Sequence, residues 1–169
     1  MKKINTQSGF SLVEMIIYIG IVSIILVAMS TFLITLLKLR IQNQAMAEVE
    51  GQGVQIMQTI TQSIRNSSTI NSPTQGTSAN STSLEVSTVE NDPTLFELDN
   101  GIVKITEGVA NSVALHNSLV NASSLTFQNL SRDNTSGIIS IQFVLSYDNP
   151  ANKGEYEYSQ TFYGSASLR

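Results

Sequence analysis

A single carboxylate lies inside the longest apolar run of this chain. The run spans residues 10–37, and Glu14 is its one charged residue. A carboxylate within a membrane-length segment costs about 2.5–3.5 kcal/mol on insertion scales, so its presence needs a functional reason. Gly9 comes immediately before the run, and a short polar leader containing Lys2 and Lys3 precedes it.

The apolar run has the length and composition of a helix that crosses a bilayer. On such a helix Phe10 and Glu14 are four residues apart and share one face. If the leader were removed, Phe10 would carry a free amine in a poor dielectric. A carboxylate from the same or an adjacent chain would be its natural partner, because pairing recovers much of the cost of either charge in lipid.

The stretch Gly9-Phe10-Ser11-Leu12-Val13-Glu14 resembles the processing site of type IV prepilins and of the related pseudopilins of type II secretion and DNA-uptake machines. The resemblance implies that a membrane-embedded peptidase cuts after Gly9 and that Phe10 becomes the N-methylated mature N-terminus. It also implies that Glu14 is required for subunit assembly. An ordinary signal anchor is the alternative, but a secretory signal has its cleavage site after the apolar run and not before it.

The same resemblance implies the partners and the location of the chain. The partners would be other pilin or pseudopilin subunits, the prepilin peptidase and an inner-membrane assembly platform. The chain would be a single-pass membrane protein with its C-terminal domain outside the cytoplasm, and then part of a pilus or pseudopilus on the cell surface or in the periplasm. Charge alone leaves the orientation open, because Lys2 and Lys3 flank one end of the span while Lys38 and Arg40 flank the other.

The composition narrows the classes of function. A length of 169 residues allows one membrane helix and one modest globular domain. The absence of cysteine excludes disulfides and thiolate metal sites. A net charge of −4 with scattered basic residues argues against specific nucleic-acid binding, which needs a basic patch. No catalytic constellation is evident, so we expect neither an enzyme nor a cofactor.

Beyond the apolar run the helical pattern continues, but it becomes amphipathic. Apolar residues recur at three- and four-residue steps. They are Met46, Val49, Gly53, Met57, Ile60 and Ile64. We predict one long helix after a leader at residues 1–9, membrane-spanning over 10–37 and amphipathic over 38–65. Gly51 and Gly53 either let a sheet approach closely or permit a bend.

The remaining chain predicts a β-rich globular domain over residues 84–169, after a Ser/Thr/Asn-rich loop at 66–83. Alternating residues indicate antiparallel strands in one sheet or two. The predicted strands are Leu84–Val89, Thr94–Leu98, Ile102–Thr106, Ser112–His116, Leu125–Leu130, Ile139–Tyr147 and Tyr156–Phe162. Asn100-Gly101 predicts a tight hairpin turn. The predicted fold class is therefore α+β, with a long N-terminal helix packed on antiparallel sheet, as in pilins.

Two features outside the N-terminal segment could suggest chemistry. His116 has no cysteine or second histidine as a partner, so we expect a structural histidine in a strand or at a strand end. One loop carries Asp148, Asn149, Asn152 and Glu155, whose oxygens would suit Ca²⁺. Their spacing does not fit the EF-hand loop, so we predict no metal site.

Two classes of function remain open. The chain is either a filament subunit, a pilin or pseudopilin that polymerises through its N-terminal helix, or a membrane-anchored extracytoplasmic binding module. The arrangement of Gly9, Phe10 and Glu14 favours the first class, because a tether needs none of it. The resemblance further favours a minor subunit, since many major pilins carry a proline near the middle of the span, where this chain has Ser30-Thr31-Phe32. Whether the filament serves adhesion, motility, DNA uptake or secretion stays open.

Overall fold

The computed structural model describes residues 9, 11–133, 135–149 and 154–169. It divides the chain into two compact units, Met1–Arg40 and Ile41–Arg169. The α-helix α1 spans Leu12–Asn66 and is followed by strands. The α+β fold class with one long N-terminal helix and antiparallel sheet is confirmed.

The first part of α1 is apolar and long enough to cross a membrane, and none of its most hydrophobic window is buried within the chain. No proline interrupts it, and its side-chain hydroxyls are satisfied internally. Ser23 donates to the carbonyl of Ile19 at 2.7 Å, and Ser30 donates to the carbonyl of Leu26 at 2.8 Å. These hydroxyl donors therefore have hydrogen-bond partners within the helix, even where the surroundings are apolar.

The second part of α1 packs against the sheets through one stripe. Its buried residues are Ala45, Val49, Gly53, Ile56, Ile60 and Ile64. The predicted positions 49, 53, 60 and 64 are confirmed, whereas Met46 and Met57 are only half-buried and their neighbours Ala45 and Ile56 are buried instead. Adjacent positions differ by about 100° around a helix, so the sequence locates the stripe but not its centre line.

In the described residues nine strands form two antiparallel sheets, so the two-sheet arrangement is the correct one of the two that the sequence left open. The first sheet has the order β1-β3-β4-β5-β6, and the second has the order β2-β7-β8-β9. The strands are β1 (Ser67–Ser72), β2 (Ser78–Ala79), β3 (Ser81–Val86), β4 (Thr94–Asp99), β5 (Ile102–Glu107), β6 (Val113–Ala114), β7 (Val120–Asn129), β8 (Ile138–Tyr147) and β9 (Ser159–Ser167). Short 3₁₀ turns lie at Val89–Asn91 and Gly154–Tyr156.

The predicted loop at residues 66–83 is wrong for most of its length, because this segment contains β1, β2 and the start of β3. Its Ser, Thr and Asn residues give weak local signals, and pairing with neighbouring strands decides the conformation. Thr82 and Leu84 of β3 are fully buried. The hydroxyl of Ser67 donates to the carbonyl of Ile64 at 2.7 Å, so the chain passes directly from α1 into β1.

The hairpin between β4 and β5 forms as predicted. Asn100 and Gly101 have φ angles of 49° and 79°, the positive values that a two-residue hairpin turn requires. The amide N–H of Ala122 donates to the carbonyl of Gly101 at 2.8 Å. The turn of the first sheet is thereby tied to a strand of the second.

Two strands of the second sheet differ from the prediction. β7 begins at Val120 and not at the predicted Leu125. The start of the strand is not evident in the sequence, because a register shift between Ala122 and Ser124 reverses the alternation of buried residues. The last strand, β9, starts at Ser159, and Tyr156 belongs to the preceding 3₁₀ turn. The predicted strand ended at Phe162, because the small residues that follow give a weak strand signal, but the pairing of β9 with β8 continues to Ser167.

Candidate functional site

The candidate site is the N-terminal end of α1, where the sequence places Gly9, Phe10 and Glu14. Phe10 and residues 1–8 lie outside the described residues. Gly9 is exposed, and a Cβ atom built on it would meet nothing within 4 Å. Among the described residues, neither packing nor a left-handed backbone requires a glycine at this position.

Glu14 lies in the first turn of α1 and is exposed. A carboxylate at this position is favoured by the partial positive charge of the helix N-terminus. The same interaction disfavours a free amine at that end, so a carboxylate beside it also offsets that repulsion. Glu14 is therefore suited to receive a cationic group near the start of the helix.

Tyr18 contacts Glu14 directly, although it is not among the site residues predicted from the sequence. Its hydroxyl donates to Glu14 Oε1 at 3.1 Å, one helical turn further along the chain. The signal was available, because residues at positions i and i+4 of a helix are neighbours. A tyrosine among aliphatic residues, four positions after a carboxylate, is a recognisable hydrogen-bond donor.

The remaining part of α1 holds two further carboxylates, and both contact side chains in the connections between strands. Glu48 Oε1 accepts from Asn117 Nδ2 at 2.6 Å. Glu50 Oε1 lies 3.3 Å from the hydroxyl of Tyr158, and that hydroxyl also lies 2.7 Å from Gln160 Oε1. Desolvation of the hydroxyl, reinforced by the negative charge of Glu50, raises the pKa of Tyr158 above its ordinary value. Tyr158 therefore stays protonated and remains a hydrogen-bond donor at neutral pH.

His116 has the geometry of a structural histidine. It is buried, and its Nε2 atom accepts from the backbone N–H of Val103 at 3.1 Å. Its Nδ1 atom lies 2.9 Å from the carbonyl oxygen of Asn117, so the proton of the neutral ring is on Nδ1. Both ring nitrogens are engaged, as the sequence analysis expected for a satisfied residue.

The loop considered for Ca²⁺ is described only in part. Asp148 and Asn149 are described, Asn152 lies outside the described residues, and so does the side chain of Glu155. The backbone N–H of Asp148 donates to the carbonyl of Leu119 at 2.8 Å, which anchors the start of the loop. In the described parts of the chain no group of three or more His, Cys, Asp or Glu side chains could hold a metal ion.

Comparison with known proteins identifies the same N-terminal segment. Residues 4–30 match the family model of the prokaryotic N-terminal methylation motif. The matched segment contains Gly9, Phe10, Glu14 and Tyr18. Neither a curated protein nor a solved structure matches the chain.

Proposed function

We propose that this chain, a member of the type IV prepilin and pseudopilin family, is a minor subunit of a type IV pilus, a type II secretion pseudopilus or a DNA-uptake filament. The observation that carries the proposal is the match of residues 4–30 to the methylation motif. The motif implies assembly with other pilin subunits and processing by a prepilin peptidase. An inner-membrane assembly platform is the further partner that such a filament needs.

Three residues carry the proposed maturation and assembly. The peptidase cuts between Gly9 and Phe10, and the new amine of Phe10 is methylated. Glu14 then pairs with the Phe10 amine of a neighbouring mature subunit. The helix supports this role, because Glu14 is the one charge within an apolar segment of membrane-spanning length.

The apolar helix anchors the chain in a membrane before assembly. We place the leader in the cytoplasm and residues 38–169 outside it. A reporter enzyme that is active only in the cytoplasm, fused after Arg169, is expected to be inactive. A reporter active only outside the cytoplasm, fused at the same position, is expected to be active. The reverse pair of results would contradict this orientation.

Processing gives the direct test of the proposed function. In cells that contain the cognate peptidase, we expect the intact mass of the mature chain to lack residues 1–9 and to include one methyl group. Gly9→Val should abolish cleavage, because a β-branched side chain would obstruct the peptidase at a position where the chain itself leaves room. Mass spectrometry of the purified chain measures both changes.

Gly20→Val is the matched control for this experiment. A Cβ atom at Gly20 also meets nothing within 4 Å, and Gly20 lies inside the helix, beyond the cleavage position. Its chain should be cut as the unmodified chain is. A mature chain that still begins at Met1 in the presence of the peptidase would contradict the proposal and favour the membrane-anchored binding module.

A further inference from the structure

We propose that Tyr18 is the positioning residue for Glu14: its hydroxyl holds the carboxylate in the unassembled subunit and keeps it ready for the amine of the next subunit. The inference rests on the proposed function, because it assigns a partner to the assembly carboxylate. The contact that carries it is the hydrogen bond of 3.1 Å between the hydroxyl of Tyr18 and Glu14 Oε1.

The direction of helical side chains explains why Tyr18 can play this part. Long side chains of a helix lean toward its N-terminus and cover the preceding turn. The side chain of Tyr18 therefore covers the turn that contains Glu14, and its hydroxyl reaches the carboxylate from the next turn of the helix. A carboxylate has about four acceptor positions, so the bond from Tyr18 leaves capacity for a second donor.

The apolar setting makes a nearby donor important. The large side chains beside this pair, such as Val13, Ile17 and Ile21, are exposed hydrocarbons that suit lipid. The hydroxyls of Ser23 and Thr31 donate to backbone carbonyls of their own helix. A polar group without a hydrogen-bond partner is costly in hydrocarbon, so the Tyr18 hydroxyl stabilises a subunit that waits in the membrane.

The same hydroxyl remains useful after docking. An ion pair in a medium of low dielectric is favourable only when further hydrogen bonds satisfy its members. Tyr18 supplies an uncharged hydrogen-bond donor, so the negative charge of Glu14 stays available to the incoming amine. It therefore contributes to the docked state as well as to the orientation of Glu14 before docking.

The test uses the full-length chain in cells with the cognate peptidase and filament machinery. The measured quantity is the amount of mature chain in sheared filaments divided by the amount in the membrane. Tyr18→Phe keeps the ring and removes the hydroxyl, and it should lower this ratio roughly three- to tenfold with cleavage unchanged. Ser23→Ala, the control, removes a hydroxyl that bonds to Ile19 and should leave the ratio unchanged.

A second background separates positioning from a general structural effect. Glu14→Asp shortens the carboxylate side chain by one methylene, which draws it away from the Tyr18 hydroxyl. In that background Tyr18→Phe should change the ratio by less than about twofold. An equal loss in both backgrounds would overturn the proposal, as would a normal ratio for Tyr18→Phe alone. A normal ratio for Glu14→Leu would instead contradict the proposed function itself.

Discussion

Replacement of Glu14 by leucine is expected to reduce recovery of the chain in filaments by at least about tenfold, with cleavage at Gly9 unchanged. The docking subunit loses the carboxylate that recognises the unpaired amine of its neighbour, and removal of one partner of a buried ion pair costs about 3–5 kcal/mol. Membrane insertion should improve by about 3 kcal/mol on insertion scales, because a charge is replaced by an apolar side chain.

The controls for Glu14→Leu come from the chain itself. Glu14 belongs to the compact unit Met1–Arg40, so the thermal stability of Ile41–Arg169 should be unchanged. Glu14→Asp should give intermediate recovery, since the charge remains but its reach is shorter. The measurements are the processed mass, the membrane level and co-purification with sheared filaments. Normal recovery of Glu14→Leu in filaments would leave Glu14 without its proposed role and would favour the binding module.

Replacement of Gly53 by leucine should destabilise the unit Ile41–Arg169 by about 3 kcal/mol or more. Gly53 is buried in the packed stripe of α1, and a Cβ atom on it would collide with the ring of Phe162. The Phe162 ring cannot move aside freely, because it stacks on Phe143 with ring centroids 5.1 Å apart. Added volume at this position therefore forces the helix and β9 apart.

Gly51→Leu is the matched control on the same helix. Gly51 is exposed, and a Cβ atom there would meet nothing within 4 Å, so leucine should be neutral or stabilise the helix by a few tenths of a kcal/mol, up to about 1 kcal/mol. The midpoint of thermal unfolding of the full chain in detergent measures both variants. A second change, Phe162→Leu, should restore part of the stability lost in Gly53→Leu. Equal midpoints for the two glycine variants would contradict the packing described for Gly53.

The sequence by itself predicted the features that depend on local signals. The apolar run, its one carboxylate and the preceding Gly9 are adjacent in the chain, so no tertiary contact is needed to recognise them. The same holds for α1, which has no proline before Asn66, and for the Asn100-Gly101 turn, whose φ angles are a property of those two residues. The hydrogen bond from Tyr18 to Glu14 is also local and was overlooked.

Only the tertiary structure decided which strands pair and which residues of α1 lie deepest in the core. β1 has one partly buried aliphatic residue, Ile70, and exists because it pairs with β3. The start of β7 was hidden because the irregularity after Ala122 reverses the alternation on which strand prediction depends. The periodicity places Gly53, and not Gly51, on the packed stripe of α1, but only the structure shows that the ring of Phe162 lies against Gly53. These outcomes depend on atoms far apart in the chain, so the local sequence pattern cannot determine them.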